Sequence, residues 1–460
     1  MTTILLPYVD PAARRALLVR HGAALRARGI SLVLADDELE AEDRALFDEC
    51  IELPRPAHVA EALAVLQGLA ARRRIDAVCP ESEAGLLPGV LLAERLGLRA
   101  LSPRAALLTC NKWLSRRAMA AGGVSVPRFA LAADAADVRR FARRAGWPVM
   151  LKAVSSCLSR NVVKVAREAD VDAAVARLHA ALPSAPDVLR CLQFARLARL
   201  DMECDPTRQF LVEEFFDGEP LEVDGLVRGG MVASFGVTGQ VLSAGPQFHI
   251  EAYVAPADLP PAVLAAAERA ALASLSALGM DDSGFSIELR ARGERCAVIE
   301  VNGRLGQDDG FPELFARAIG AEPLLLWLTA LADDAPLPRA RATGHHALAY
   351  VNHTRGGTFR GVGSAAAVAA ATGAPAARAD VRVLIAPGCK LSPMGEPHYD
   401  PHVVSALASH PTSSAAALAA ARDALAQLDV CIDAADHATD PHAPMAAIGA
   451  HALHAPDHVA

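Results

Sequence analysis

The sequence predicts an α/β protein of several domains that opens on a doubly wound parallel sheet. Short apolar strands alternate with helix-period segments from residue 1 to about 105, the pattern that parallel sheets with crossover helices require. Residues 285–304 read instead as two strands joined by a polar turn and ending in a burst of charge and glycine. The length of 460 residues supports about two to four domains, each with its own core.

The first domain is expected over residues 1–105. Its strands are Ile4 to Leu6, Ile30 to Leu34 and Ala77 to Cys79, and its helices run Pro11 to Arg28, Ala57 to Arg73 and Leu86 to Leu96. Ligands of such sheets gather at the carboxyl ends of the strands, where Asp36-Asp37 and Glu81-Ser82-Glu83 stand. Glu81 and Glu83 are candidates to line a cleft, or simply carboxylates favoured at a helix N-terminus. No G-x-G-x-x-G follows the first strand, so a dinucleotide cofactor is not supported.

Next come a helix from Lys112 stopped at Gly122-Gly123, a buried strand from Trp147 to Ala153 that contains Lys152, and a loop with Ser155, Ser156 and Ser159. Hydroxyls and backbone N–H groups between two strands suit phosphates, although this loop has no glycine. Gln209 to Gly218 is a further strand and turn, followed by the alternating run Glu222 to Val227 and a resumed strand at Met231.

The chemistry is concentrated in the hairpin. Side chains alternate along a strand, so Glu300, Asn302 and Arg304 share a face while Ile299 and Val301 turn inward. Glu288 lies on the neighbouring strand. Two carboxylates and an amide oxygen suit a hard cation such as Mg²⁺, which completes its shell from water and phosphates.

Composition excludes several classes. The net charge of -8 and pI near 6.0 leave no basic stripe, so nucleic acid is not an expected partner. The N-terminus lacks a signal-peptide pattern, and no uninterrupted apolar run reaches the ~18 residues of a spanning helix. No membrane and a cytoplasmic location are therefore expected. The nine cysteines contain no C-x-x-C pair, against a zinc ribbon or disulfide framework.

Taken in order, Lys112-Trp113 with Arg116-Arg117 and Met119, Val126-Pro127, Trp147 to Lys152, Ser155 to Val162, Leu211 to Gly218, Ile287 to Arg290 and Ile299 to Gly306 resemble the ATP-grasp superfamily. The resemblance spans about 105 to 335. Asn352 to Phe359 and Ala386 to Lys390 resemble the C-terminal subdomain of its carboxylate-amine ligase branch, which includes L-amino acid ligases of the bacilysin-synthetase type. The resemblance implies an ATP-grasp domain over 106–338 with a lid subdomain at about 125–212, and a C-terminal subdomain over 339–432. ATP and Mg²⁺ (Mn²⁺ as the alternative) are the implied cofactors.

By position, the resemblance assigns Lys112 and Lys152 to nucleotide phosphates, Ser155, Ser156 and Ser159 to the phosphate loop, and Glu213, Glu214, Phe215 and Phe216 to the adenine hinge. Glu222 would face ribose or phosphates. Glu288, Glu300 and Asn302 would hold magnesium, and Arg304 would steady an acyl phosphate, making Lys152 and Arg304 the catalytic cations. His249 and Glu251, with Arg304, Gly306, Asp308 and Asp309, are candidate substrate contacts. His249 and Glu251 read equally as strand-edge residues, and Asp308-Asp309 as a helix cap. This sequence has Asn302-Gly303-Arg304 where the family has asparagine-proline-arginine.

The implied reaction joins a small carboxylate to a small amine through an acyl phosphate, releasing ADP and phosphate; a homodimer is implied as well. A biotin-carboxylase-like or purine-pathway ligase, and a nucleotide-binding scaffold without turnover, are the alternatives. Residues 433–460, with His437, His442, His451, His454 and His458, are expected to form a disordered tail.

Overall fold

The computed structural model describes residues 1–9, 11–157, 160–243, 249–333, 337, 343–363, 379–394 and 399–434. Ser159 and the His-rich tail from residue 435 lie outside the described residues. The expected α/β class is borne out.

Four parallel strands, β1 (Thr2–Pro7), β2 (Ile30–Asp36), β3 (Glu49–Glu52) and β4 (Ala77–Val78), form the first sheet in the order β3-β2-β1-β4. Its helices are α1 (Pro11–Ala27), α2 (Ala41–Leu46), α3 (Val59–Arg72) and α4 (Glu83–Leu96). β1 and β2 are buried along nearly their whole length, as strands covered on both faces must be. Arg14 of α1 is fully buried and pairs with Asp36 (2.8 Å) and Asp43 (2.7 Å), which ties α1 to β2 and α2.

After α5 (Pro103–Cys110) and α6 (Lys112–Ala121), the chain builds a four-stranded antiparallel sheet. Its strands are β5 (Phe129–Ala132), β6 (Val149–Ala153), β7 (Val162–Val165) and β8 (Phe210–Glu214), in the order β5-β8-β6-β7. With α7 (Ala135–Ala145), α8 (Val171–Ala181) and α9 (Pro186–Ala198) it encloses a separate core around Val149, Leu151, Val175 and Phe210. Asn161 sits at φ 54°, a left-handed conformation that asparagine tolerates; it leads the chain into β7 without a glycine.

The largest sheet has eight strands in the order β13-β12-β9-β10-β11-β14-β18-β16. They are β9 (Glu219–Arg228), β10 (Met231–Leu242), β11 (Ile250–Ala255), β12 (Ser283–Arg292), β13 (Arg295–Asn302), β14 (His345–Asn352), β16 (Ala379–Val383) and β18 (His402–His410). β15 (Gly357–Gly363), β17 (Lys390–Leu391) and β19 (Asp429–Ala434) make a small sheet beside it. β14, β16 and β18, all after residue 339, thus continue the sheet that carries the hairpin.

Alternation sorts the sheet's faces. Leu221, Val223, Ile287, Leu289 and Val301 share a core with Val263, Ala267 and Leu275 of α10 (Pro261–Leu278). Glu222, Asp224, Ser286, Glu288, Glu300 and Asn302 fall on the opposite face. That face is closed at one end by α11 (Phe311–Ile319) and α12 (Pro323–Asp333), whose Phe311, Leu314 and Trp327 meet Leu226, Leu348 and the first sheet. α13 (Ser414–Ala426) covers β14 and β18. Among the described residues α10 alone is long and apolar enough to cross a membrane by length and composition; it packs on β13 and α6.

Candidate active site

The expected hairpin forms, with Gly293-Glu294 as its turn, and its register is decisive: Glu288 lies directly opposite Glu300, and Ser286 opposite Asn302. β9 pairs on the other side of β12, placing Glu222 opposite Glu288 and Asp224 opposite Ser286. Three glutamates, Glu300, Glu288 and Glu222, therefore stand in one row across three strands. Ile299 is not fully interior as expected, because the register shifts there, with Glu288 facing Glu300 and Leu289 facing Val298, and the extra residue is only half-buried.

Burial first, then the charges of Glu300 and Glu222, push the Glu288 carboxyl up to about 8. Burial and the charge of Asp308 raise Glu222 to about 7, although Ser286 Oγ (2.6 Å) and Gln240 Nε2 (2.8 Å) donate to it. Asp224 is raised well above the usual range by burial and by Glu222; Gly306 N–H donates to its Oδ1 at 3.1 Å. Such a row of hard oxygens demands positive charge, and a divalent cation with phosphate and water in its shell fits it. No group of three or more His, Cys, Asp or Glu suited to a metal occurs among the described residues, so Glu288, Glu300 and Asn302 would hold magnesium as an incomplete set.

The cations come from other elements. Lys112, first residue of α6, reaches Glu300 Oε1 at 2.7 Å and donates to the Ser156 carbonyl at 2.6 Å. Burial would lower its pKa, but the Glu300 carboxylate raises it overall. Lys152 on β6 meets Glu213 Oε2 at 2.7 Å, and Arg116 of α6 meets Glu213 Oε1 at 2.5 Å. Burial would raise Glu213, yet these two cations hold it below its ordinary value. Glu213 therefore positions Lys152, with both oxygens engaged.

β8 alternates, so Glu214 points the other way: Arg128 donates to it from its backbone N–H (3.0 Å) and from Nε (2.6 Å). It lies off the face that carries Lys152. Phe215 lies beneath Lys164 (3.8 Å to the ring centroid), and Phe216 between Arg292 (5.0 Å) and Arg295 (4.9 Å). Ser155 is buried, and Ser156 places its carbonyl on Lys112.

Arg304 donates to the Leu305 carbonyl and approaches Glu83 Oε2 at 3.6 Å, so Glu83 does face the site. Gly303 packs on the first domain: a Cβ there would lie 2.9 Å from Leu101 Cδ2 and 3.2 Å from Thr109 Oγ1. Gly306 is equally confined, because a Cβ there would overlap the Phe311 ring and lie 2.7 Å from Asp224 Oδ1. Asp308 accepts from Tyr253 Oη at 2.6 Å, and the Asp309 carbonyl from Tyr350 Oη at 2.7 Å. The cap of α11 is Gly310, not either aspartate side chain.

His249 enters β11, with its Nδ1 buried and unpartnered among the described residues; burial lowers its pKa. Glu251 follows on β11 where the ladder with β10 shifts register. The pairing of Arg116 with Glu213, the Asp224 and Gln240 contacts, and the Tyr253–Asp308 bond were not anticipated. Only Asp224 had a local signal, the i, i+2 spacing from Glu222 on one strand.

A family profile described as the ATP-grasp domain matches residues 145–311. A formate-dependent phosphoribosylglycinamide formyltransferase from Xanthomonas oryzae pv. oryzae is 31% identical over 180 residues, which are 38% of this chain and 44% of that protein. The structure resembles an L-amino acid ligase from Bacillus licheniformis, with a TM-score of 0.74 at 19% identity over 94% of this chain and 98% of that one. It also resembles biotin carboxylase from Campylobacter jejuni, with a TM-score of 0.67 at 17% identity over 94% and 92% of the two chains.

Proposed function

We propose that this chain, which carries an ATP-grasp domain on the ATP-grasp fold, is a ligase that joins a small carboxylate to a small amine at the expense of ATP. The observation that carries the reading is the row Glu300, Glu288 and Glu222, with Lys112 of α6, Lys152 of β6 and Arg304 just past β13 as the cations around it. A scaffold that only bound nucleotide would have no need of three neighbouring carboxylates that repel one another.

In this reading the acid attacks the γ-phosphorus of ATP, ADP leaves, and the acyl phosphate is attacked by the amine, with phosphate leaving. Phosphoryl transfer depends on positioning and on neutralising phosphate oxygens. Lys152, oriented by Glu213, and Lys112 would take nucleotide phosphates. Magnesium held by Glu288, Glu300 and Asn302 would supply further neutralising charge. Arg304 would face the donor carboxylate. His249, kept neutral by burial, would accept the proton of the attacking ammonium, with Glu251 and Asp308 as its negative surroundings.

Small amino-acid-like substrates are favoured by the likeness to the L-amino acid ligase, which runs through the C-terminal strands. The formyltransferase relative supports a second reading, ligation of formate to a phosphorylated amine. Cytoplasmic location and a homodimer belong to the same proposal.

The test is ADP and phosphate release with MgATP across single amino acids, their pairs, formate and bicarbonate, with products weighed. A product equal to two amino acids less water establishes the first reading. A formylated product selects the second, and nucleotide binding without release across the panel leaves the scaffold.

A further inference from the structure

We propose that Arg190 and Glu83 are positioning residues that couple the phosphate loop to Arg304. The inference rests on reading Arg304 as the cation at the donor carboxylate. It begins from a buried defect: Arg304 Nε is shielded from solvent and has no hydrogen-bond partner among the described residues, because Glu83 Oε2 stands 3.6 Å away. An unmade bond of this kind is costly to leave buried and is completed by any anion that can approach.

Glu83 is shared. Its other oxygen lies 3.4 Å from Arg190 of α9, whose guanidinium also meets Asp187 at 3.2 Å. Asp187 in turn holds the loop: it accepts from Cys157 N–H at 3.3 Å and lies 3.4 Å from Cys157 Sγ, with Arg160 Nε at 3.8 Å. Burial pushes the Cys157 thiol up to about 11, so its S–H is present to donate.

The contacts therefore run from the phosphate loop through Asp187 and Arg190 to Glu83 of α4, and from Glu83 to Arg304. Every link is a charged or hydrogen-bonded pair, and α9 is packed on α3, α4 and α5, so the path crosses from lid to first domain. Gln193 Nε2 adds a bond to the Ala57 carbonyl at 3.0 Å. A donor anion that completes Arg304 weakens the hold of Glu83 on it and leaves Glu83 to Arg190. Phosphates that draw the loop away from Asp187 leave Arg190 to Glu83 by the other route. Either ligand thus shifts the same shared arginine, which is the requirement for coupling between two sites.

The experiment is hydrogen exchange of the full chain, read in peptides around Cys157, around Arg304, in the lid strands β6 and β8, and in β1, with and without the magnesium complex of a non-hydrolysable ATP analogue. Arg190→Met should raise exchange about tenfold around both Cys157 and Arg304 while the lid strands and β1 stay protected. Arg190→Lys should restore much of the protection, and Glu83→Gln should reproduce the effect at Arg304. The wild type should show the analogue protecting both peptides, and Arg190→Met the Cys157 peptide alone. Changes confined to one peptide in the unliganded variants, or spread through β6, β8 and β1, would overturn the coupling. Failure of the analogue to bind the wild type would instead overturn the ligase reading, with the unliganded comparison still deciding the network.

Discussion

Glu300 is the residue where charge matters most, since it meets Lys112 on one side and Glu288 on the other. Replacing Glu300 with Ala should lower turnover at least about a hundredfold while circular dichroism stays native. Unchanged turnover with unchanged magnesium dependence would remove the metal assignment. Glu213→Gln should act differently: with one anionic partner lost, Lys152 is mispositioned, so KM for ATP should rise about tenfold. An unaltered KM would show that Lys152 holds its place without the carboxylate. The motif residues were legible because their types and order are local in sequence. The Arg116–Glu213 pair was not, because its members are 97 positions apart and only the tertiary fold brings α6 and β8 within reach.

Elements with a clear period were read well. The hairpin of β12 and β13 alternates apart from its bulge at Ile299, α1 and α3 carry apolar stripes and α4 is an apolar run buried all round, so their existence followed from pattern alone. β3 was missed because Glu49–Glu52 is a half-exposed edge strand with acids at both ends, and α2 because six residues are too few for a period to register. The loop before β7 shows the limit of counting glycines, as Asn161 supplies the left-handed residue. Gly303→Ala should cost about 1–3 kcal/mol, because the added Cβ meets Leu101 of the first domain and Thr109 of α5. A melting temperature equal to wild type would show that these neighbours relax around it.

At the scale of the whole molecule, the first domain is held to its own helices by the Arg14 network, and acid should release it. Asp43 is depressed by Arg14 and Arg15, against a burial effect of the opposite sign. Its stabilisation is complete above the free-chain value near 4 and drains as pH falls towards the depressed folded value. Asp36 works in reverse: burial raises it to about 6, so its ionisation opposes folding as pH climbs from about 4 through 6. The urea midpoint followed by Trp327, which packs against the first sheet, should therefore climb from pH 2.5 to about 4 and dip towards 6. Asp43→Asn should flatten the acid limb and cost on the order of 3 kcal/mol at pH 7. A variant that keeps the acid limb would place the acid-sensitive group elsewhere.

The order of the eight-stranded sheet has a consequence for synthesis on the ribosome. β11 pairs with β10 on one side, but its other neighbour is β14, and β14 in turn waits for β18. From the moment residue 255 leaves the exit tunnel until residues 345–352 follow, β11 is an open edge with unpaired N–H and C=O groups. β14 then inherits that exposure until residues 402–410 appear. At about 5–20 residues per second this lasts several seconds for each strand, a long time for an apolar edge such as Ala252-Tyr253-Val254 to stand uncovered. Expression should accordingly depend on chaperones that shield nascent strands, and slowing translation between codons 256 and 345 should shift the product towards aggregates.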